Sequence, residues 1–489
     1  MKKALAIFIA LAVLLTSGAV WTFADAYKEQ DNVIFTENTV YGDIRHADGI
    51  DVTRRISLEN AEWNSICSIN DSKVTQKTDF RYYNLGKKYE GGPPYHNIWL
   101  STVSYPDFSA SVRNDKKLTP ERKKLQDDFD EQTKDSLDNP VTVEFRLRDY
   151  YEYYPIGVSI WLPDHTNIFG EADYEFESGA INHFREFFKI PVPESEVTTV
   201  TAAVSYGGGG EMRTVMEKTR NFAFGTKYAI CDNAVYFTFD NKFPDSEEKI
   251  DTSLIPGGYG IYRLPYEKTT DEDLKNASFE ETNKAIEAKV HADRLEMVYS
   301  LSEDNYVLDM MPSFDKTQIY LLTKEDGRYF FTVIDEKTMK DYQRFELKVR
   351  ADGDSLSFHS AYDGYMVITC YDDESGSNIL LYEVNEGYHE KKADIYTTYT
   401  IFDSKLCWDG ERLAAVKKYD AVRESTELWG HYELQYHCGF TLTVYDSEKT
   451  LYCGNFESSL DAGANEKGMS NYFCQAFLED ENDFIVTVK

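Results

Sequence analysis

Seven aromatic side chains have the type and spacing best suited to contacting a ligand: Tyr82, Tyr83, Tyr95, Trp99, Tyr151, Tyr153 and Trp161. They fall in two clusters, the first with Phe80, Tyr89 and His96, the second with Tyr150 and Tyr154. Successive residues of an extended chain point to opposite faces, so one member of each Tyr-Tyr pair is expected outside the core. Exposed Tyr and Trp give large contact area at low entropic cost, which suits a binding surface. The competing reading is packing between sheets, in a chain that carries 36 tyrosines.

Other site chemistry is largely excluded by spacing. No G-x-S-x-G elbow occurs, and His389-Glu390 is followed by Lys391, Lys392 and Ala393 rather than by the second His of a zinc helix. The run from Gly207 to Gly210 is followed by Met212, which breaks a dinucleotide loop and leaves a flexible turn. His431, His437 and Cys438 lack a fourth ligand, and adjacent strand residues diverge. The acidic stretches 245–251 and 372–374 lack an EF-hand order of ligands. Neither a metal nor a cofactor is therefore expected. Among 85 acidic residues, a carboxylate pair suited to glycoside chemistry carries no information by itself. Set against 52 basic residues, those acids give 52 − 85 = −33, a field that repels phosphate backbones and excludes nucleic acid as a partner.

The N-terminus speaks to location. Lys2 and Lys3 precede an uncharged run from Ala4 to Phe23, followed by Ala24-Asp25-Ala26, which has the small-x-small form of a signal-peptidase site. Residues 1–26 are expected to be a signal peptide; the alternative is a single-pass anchor through residues 4–23. Either way the remainder is expected outside the cytoplasm, secreted or at the cell surface, with membrane contact only through that segment. Seven cysteines, an odd number with no C-x-x-C pair, read mostly as small apolar core residues. Cys438 and Cys453 are expected to be unbonded. A turn centred on Ser447 and Glu448 sets them several strand residues apart, whereas a disulfide needs Cα atoms within about 7 Å.

The elements that position these groups are strands. Hydrophobic residues make up 42% of the 489, so a sizeable core is available. A turn signal followed by alternating β-formers recurs five times, at Asp232-Asn233, Asp315-Lys316, Asp363-Gly364, Asp409-Gly410 and Asn482-Asp483. Short apolar runs such as Tyr306 to Met310 precede several markers, making a first and a second strand. A second pair follows in most copies, as in Tyr329 to Asp335 with Gln343 to Val349, or Phe440 to Asp446 with Thr450 to Cys453. Four strands per copy make the blade of a β-propeller. The phrase from Thr332 through Asp335 and Thr338 to Lys340 resembles the outer hairpin of quinoprotein-like propeller repeats. That resemblance spans roughly residues 226–489 and implies repeat shape only; no functional residue follows from it.

The first half has strand-like runs at 32–39, 140–146, 156–162 and 197–206 without a clear period. Helical insertions are expected from Thr119-Pro120 to Leu137, around the stripe Ile181, Phe184, Phe187 and Phe188, and near 279–292 behind a Ser278/Glu281 capping box. The expected fold is all-β, a propeller of about six to eight four-stranded blades with short helical insertions. Degenerate blades would fill 27–225 and clear ones 226–489; the alternative is an N-terminal β-rich domain plus a C-terminal propeller. The expected function is an exported binding or scaffold protein with an unknown protein or carbohydrate partner at the cell surface. Its rival is an extracellular carbohydrate-active hydrolase or lyase. A half-blade at the C-terminus would expose an edge, so a segment within 32–58 is expected to pair beside Phe484 to Val488.

Overall fold

The computed structural model describes residues 34–58, 61–82, 97–102, 118–134, 140–162, 167–170, 179–202, 214–215, 222–242, 249–270, 288–349, 356–372, 376–399, 401, 404–428, 431–461 and 484–488. Within them the chain is all-β with two α-helices, and its strands form seven small antiparallel sheets.

Three sheets follow chain order, each strand pairing with the next. They are β12 (Thr226–Ile230) to β15 (Glu296–Ser300), β16 (Tyr306–Pro312) to β19 (Lys340–Leu347), and β20 (Leu356–Tyr362) to β23 (Tyr388–Thr397). The turn markers fall where the repeat places them, between first and second strands: Asp232-Asn233 before β13 (Ala234–Phe239), Asp315-Lys316 before β17 (Gln318–Glu325), and Asp363-Gly364 before β21 (Tyr365–Asp372). Lys316 and Gly364 have φ of 58° and 81°, left-handed values that suit tight turns. The Asp335 phrase does close the outer hairpin, between β18 (Arg328–Asp335) and β19. Asp335 Oδ1 accepts from the Thr338 N–H at 2.8 Å and from its hydroxyl at 2.7 Å.

Burial grades from the second strand to the last. β13 is buried at all six residues and β17 at its first six, because a neighbouring sheet covers each face. β19, on an outer edge, is exposed at its first three residues and alternates thereafter. Successive sheets share core clusters. One joins the β12–β15 sheet to β16–β19 and to the N-terminal sheets and helices, a second joins β16–β19 to β20–β23, and a third joins β20–β23 to the next. First strands β12 and β16 lie side by side, as do β16 and β20.

The next sheet runs β24 (Lys405–Trp408), β25 (Leu413–Leu428), β26 (His431–Tyr445), β27 (Thr450–Asp461), and ends on β1 (Phe35–Gly42) as a fifth, outer strand. The Asp409-Gly410 marker again separates first and second strands. The last sheet has the order β28 (Phe484–Val488), β2 (Ile50–Leu58), β3 (Ala61–Asn70), β4 (Lys73–Tyr82). Both ends of the described chain are thus sewn into sheets made by the other end. The expected pairing is present, with Ile50 opposite Val488 and Arg54 opposite Phe484. Two details correct the expectation. β28 occupies the first-strand edge, not a second-strand position, and 35–42 pairs with β27 in a different sheet. Asp48-Gly49 precedes the second strand β2, with Gly49 at φ 86°, and so repeats the marker that the five-fold count missed.

Two further sheets complete the set: β11 (Phe222–Phe224), β5 (Asn97–Thr102), β7 (Gly157–Trp161), β8 (Asn167–Gly170); and β10 (Thr214–Val215), β9 (Val197–Ala202), β6 (Val141–Arg146). Strands β1 and β2 thus pair with the C-terminal strands β27 and β28. Helix α1 (Pro120–Thr133) starts at its expected cap, Thr119 Oγ1 accepting from the Arg122 N–H at 3.3 Å, and buries Leu125 and Phe129. Helix α2 (Gly179–Phe187) buries Ile181 and Phe184, while Phe188 just beyond packs on Phe237, Phe239 and Tyr262. The run 207–210 and most of 279–292 lie outside the described residues.

Five cysteines, Cys67, Cys231, Cys370, Cys407 and Cys453, are free thiols. Cys453 is therefore not bonded to Cys438, as expected, although it pairs with Thr443 rather than Leu442 because Leu451 is bulged. Burial pushes the Cys67 and Cys231 thiols up to about 12, which keeps them protonated and unreactive.

Candidate functional site

Trp99 and Trp161 come together on one open sheet face. β5 and β7 pair with Asn97 opposite Trp161 and Trp99 opposite Ser159, so the two indoles are diagonal neighbours. The opposite face takes Ile98, Leu100, Val158 and Ile160 into the core, which forces the intervening residues outward. Trp99 remains 48% exposed and Trp161 44%. Trp161 Nε1 donates to Ser159 Oγ at 2.9 Å, so the indole leans along its own strand toward the Trp99 position.

Of the other predicted aromatics, Tyr82, Tyr151 and Tyr153 lie on other elements. Tyr82 ends β4, in a different sheet from Trp99, and Tyr83 and Tyr95 lie outside the described residues. Tyr150 to Tyr154 do not lie on a strand. A 3-10 turn at Leu147–Asp149 leads into irregular chain, with only an isolated bridge from Tyr153 to Pro191. Tyr151 and Tyr154 are core residues there. Tyr153 is half-buried; its hydroxyl donates to Glu152 Oε1 at 3.0 Å, and Lys189 Nζ lies 5.9 Å from its ring centroid.

A polar cluster that the sequence reading missed lies where the β12–β15 and β16–β19 sheets meet. Lys227 pairs with Thr238, and the Asp240 N–H donates to Gly225 O at 3.0 Å, so Lys227, Thr238 and Asp240 share one face. Asp240 sits directly over Gly225, where a Cβ would lie 1.9 Å from its Oδ2. Burial raises the Asp240 carboxyl to about 6, with Lys227 acting against the rise. Its Oδ1 is buried without a hydrogen-bond partner among the described residues. Asp309, on β16 at the bulge after Val307, is also raised by burial. It is restrained by the N–H groups of Phe358 and Met310, each 2.8 Å away, and by Lys227. A Lys whose charge acts on two desolvated carboxylates is an arrangement that can hold a proton or a polar ligand. The only sequence signal was an Asp inside the apolar strand from Tyr306 to Met310.

No family model matches the chain, and no curated protein is similar to it. Solved structures resemble it only loosely. A Bacteroides fragilis protein assigned as a 6-phosphogluconolactonase is 9% identical over 83% of this chain and 97% of its own, with a TM-score of 0.27. TolB from Acinetobacter baumannii is 7% identical over 84% and 80%, with a TM-score of 0.23. An auxiliary nutrient binding protein from Bacteroides thetaiotaomicron is 8% identical over 87% and 95%, with a TM-score of 0.22. Likeness at this level decides neither fold nor function.

The two regions differ in chemistry. The indole pair offers ring faces with one N–H already engaged, which suits stacking on a ligand. The Lys227 cluster offers a carboxyl able to exchange a proton near neutral pH. Among the described residues no group of His, Cys, Asp and Glu is arranged to hold a metal ion, and no helix is long and apolar enough to cross a membrane.

Proposed function

We propose that the protein is an exported binding protein of the cell envelope or extracellular space, that its sheets are the blades of a β-propeller, and that Trp99 and Trp161 contact its ligand. The observation that carries the reading is the shared open face of those two indoles, 48% and 44% exposed. The side-by-side first strands support blades, and Lys2, Lys3 and the apolar run to Phe23 support export. The charge of −33 disfavours an anionic ligand and leaves neutral glycans and basic peptides as the probes of choice. Cellohexaose, xylohexaose and a Lys-rich peptide are titrated while tryptophan fluorescence is followed. Binding of at least one is expected, weakened at least tenfold by Trp99→Ala with little change in Tm. No binding by the wild type, or unchanged binding by Trp99→Ala and Trp161→Ala, would discard this surface.

A second reading, a carbohydrate hydrolase or lyase, is favoured by the desolvated Asp240 beside Lys227. The same glycans, incubated and then separated by size, test it: shortened products that disappear in Asp240→Asn would replace binding by catalysis.

A further inference from the structure

Among the described residues, most outer strands of these sheets are protected against pairing, and β1 is not. β4 carries Lys73, Lys77, Asp79 and Arg81; β19 carries Lys340, Asp341, Arg344 and Glu346; β23 carries Glu390, Lys391, Lys392 and Asp394. Charged side chains, lysine above all, are a standard way to blunt an edge. β8 and β15 are only four and five residues long, another such device. β1 has neither protection. It runs for eight residues, Phe-Thr-Glu-Asn-Thr-Val-Tyr-Gly, and its one charge, Glu37, already accepts from the Tyr452 hydroxyl at 2.9 Å and the Thr39 hydroxyl at 2.6 Å. Val40 is 50% exposed and Tyr41 49%.

The main chain of this edge is partly used, in an informative way. The Phe35 N–H donates to Gln76 Oε1 at 2.7 Å, and the Phe35 carbonyl accepts from Gln76 Nε2, so a side-chain amide on β4 stands in for a paired strand. Phe35 therefore turns both groups away from β27. By antiparallel alternation, Glu37 and Thr39 do the same, since β1 pairs in continuous register from Phe35 opposite Ser458 to Thr39 opposite Gly454. No main-chain hydrogen bond satisfies them among the described residues. The bulge between Thr39 and Tyr41 ends the regular stretch. β1, β26 and β27 contain no Lys or Arg and carry Glu37, Glu433, Glu457 and Asp461; β4 beyond the edge brings Lys73 and Lys77, within a chain whose net charge is −33.

We propose that the free edge of β1 is a docking strand that pairs, through the N–H and C=O groups of Glu37 and Thr39, with an extended basic segment of another protein. A second copy of this chain is the poorer occupant, because two edges of like charge on molecules of net charge −33 repel. The surface is separate from the Trp99–Trp161 face and stands or falls independently of it.

The probe is a synthetic octapeptide of alternating Val and Lys, with a Val–Glu octapeptide as control, tested on the full chain by fluorescence anisotropy and amide hydrogen exchange. The Val–Lys peptide is expected to bind and to slow exchange at Glu37 and Thr39, but not at Asn38, which already pairs with Asn455. Thr39→Pro removes an outward N–H that the sheet does not use and is expected to weaken binding at least tenfold. Val40→Lys, which keeps every N–H, is expected to weaken it several-fold. Three results would overturn the proposal: no binding by the wild type, wild-type affinity in both variants, or equal binding of the Val–Glu peptide. A dimer in sedimentation equilibrium that Thr39→Pro disperses would reassign the edge to a second copy.

Discussion

Two neighbouring seams between sheets treat buried polar groups in opposite ways. Where β16–β19 meets β20–β23, His389 is 1% exposed and fully engaged. Its Nε2 lies 2.9 Å from the Tyr320 hydroxyl, and its main-chain N–H donates to Gln343 Oε1 at 2.7 Å. Gln343 Nε2 returns a bond to the His389 carbonyl at 3.2 Å. The ring also meets Tyr320 and Phe331 edge-on. Where β12–β15 meets β16–β19, Asp240 is half-buried, its Oδ1 is buried without a hydrogen-bond partner among the described residues, and Lys227 is its countercharge. The first seam meets the cost of burying polar atoms with hydrogen bonds and is thereby fixed in register. The second leaves a carboxyl short of partners, which lowers stability and keeps a titratable group in reserve.

The largest effect should come from breaking the satisfied seam. His389→Ala removes a packed ring and strands the Tyr320 hydroxyl, so unfolding should become easier by about 3–4 kcal/mol, read from chemical denaturation. A loss below about 1 kcal/mol would show that the seam is not a fixed network.

Next in size is the pH dependence of the same residue. Burial lowers the His389 pKa from 6.5 to about 4, so the unfolded chain takes up a proton before the folded one does. The contribution is complete above pH 6.5, falls away between pH 6.5 and 4, and changes no further below; the loss is about 3 kcal/mol. Stability curves of wild type and His389→Gln, which cannot titrate, should converge as pH falls through this window. Parallel curves would contradict a neutral buried imidazole.

The smallest effect has the opposite sign and belongs to the strained seam. The Asp240 pKa is raised from 3.8 to about 6, so the folded state holds its proton longer than the unfolded chain. The favourable contribution is present below pH 3.8 and is lost as pH rises through 6, leaving an ionised carboxylate short of partners. Asp240→Asn should therefore be more stable than wild type by about 2 kcal/mol at pH 8 and equal to it at pH 4. A destabilised Asn variant at pH 8 would mean that the carboxylate is structural, and the contrast between the seams would fail.

Local chemistry is legible in the chain alone. Asp-Gly favours left-handed turn geometry, so the first-to-second-strand turns at Asp363 and Asp409 were legible, and those at Asp232 and Asp315 followed from the recurring spacing of a turn signal before alternating β-formers; the cap of α1 and the Asp335 hairpin were legible as well. The pairing of the C-terminal strand with β2 was legible too, because an unpaired Phe484 to Val488 needs a partner. The tertiary structure decided what depends on distant neighbours. Tyr151 and Trp99 are aromatics in similar runs, yet one is in the core and the other exposed, since only the pairing of β5 with β7 and the packing behind it say which face is covered. Asp240 shows no motif either. Its carboxyl is unusual because it sits over Gly225 near Lys227 and is desolvated there, and desolvation is a property of the assembled seam that no stretch of chain carries alone.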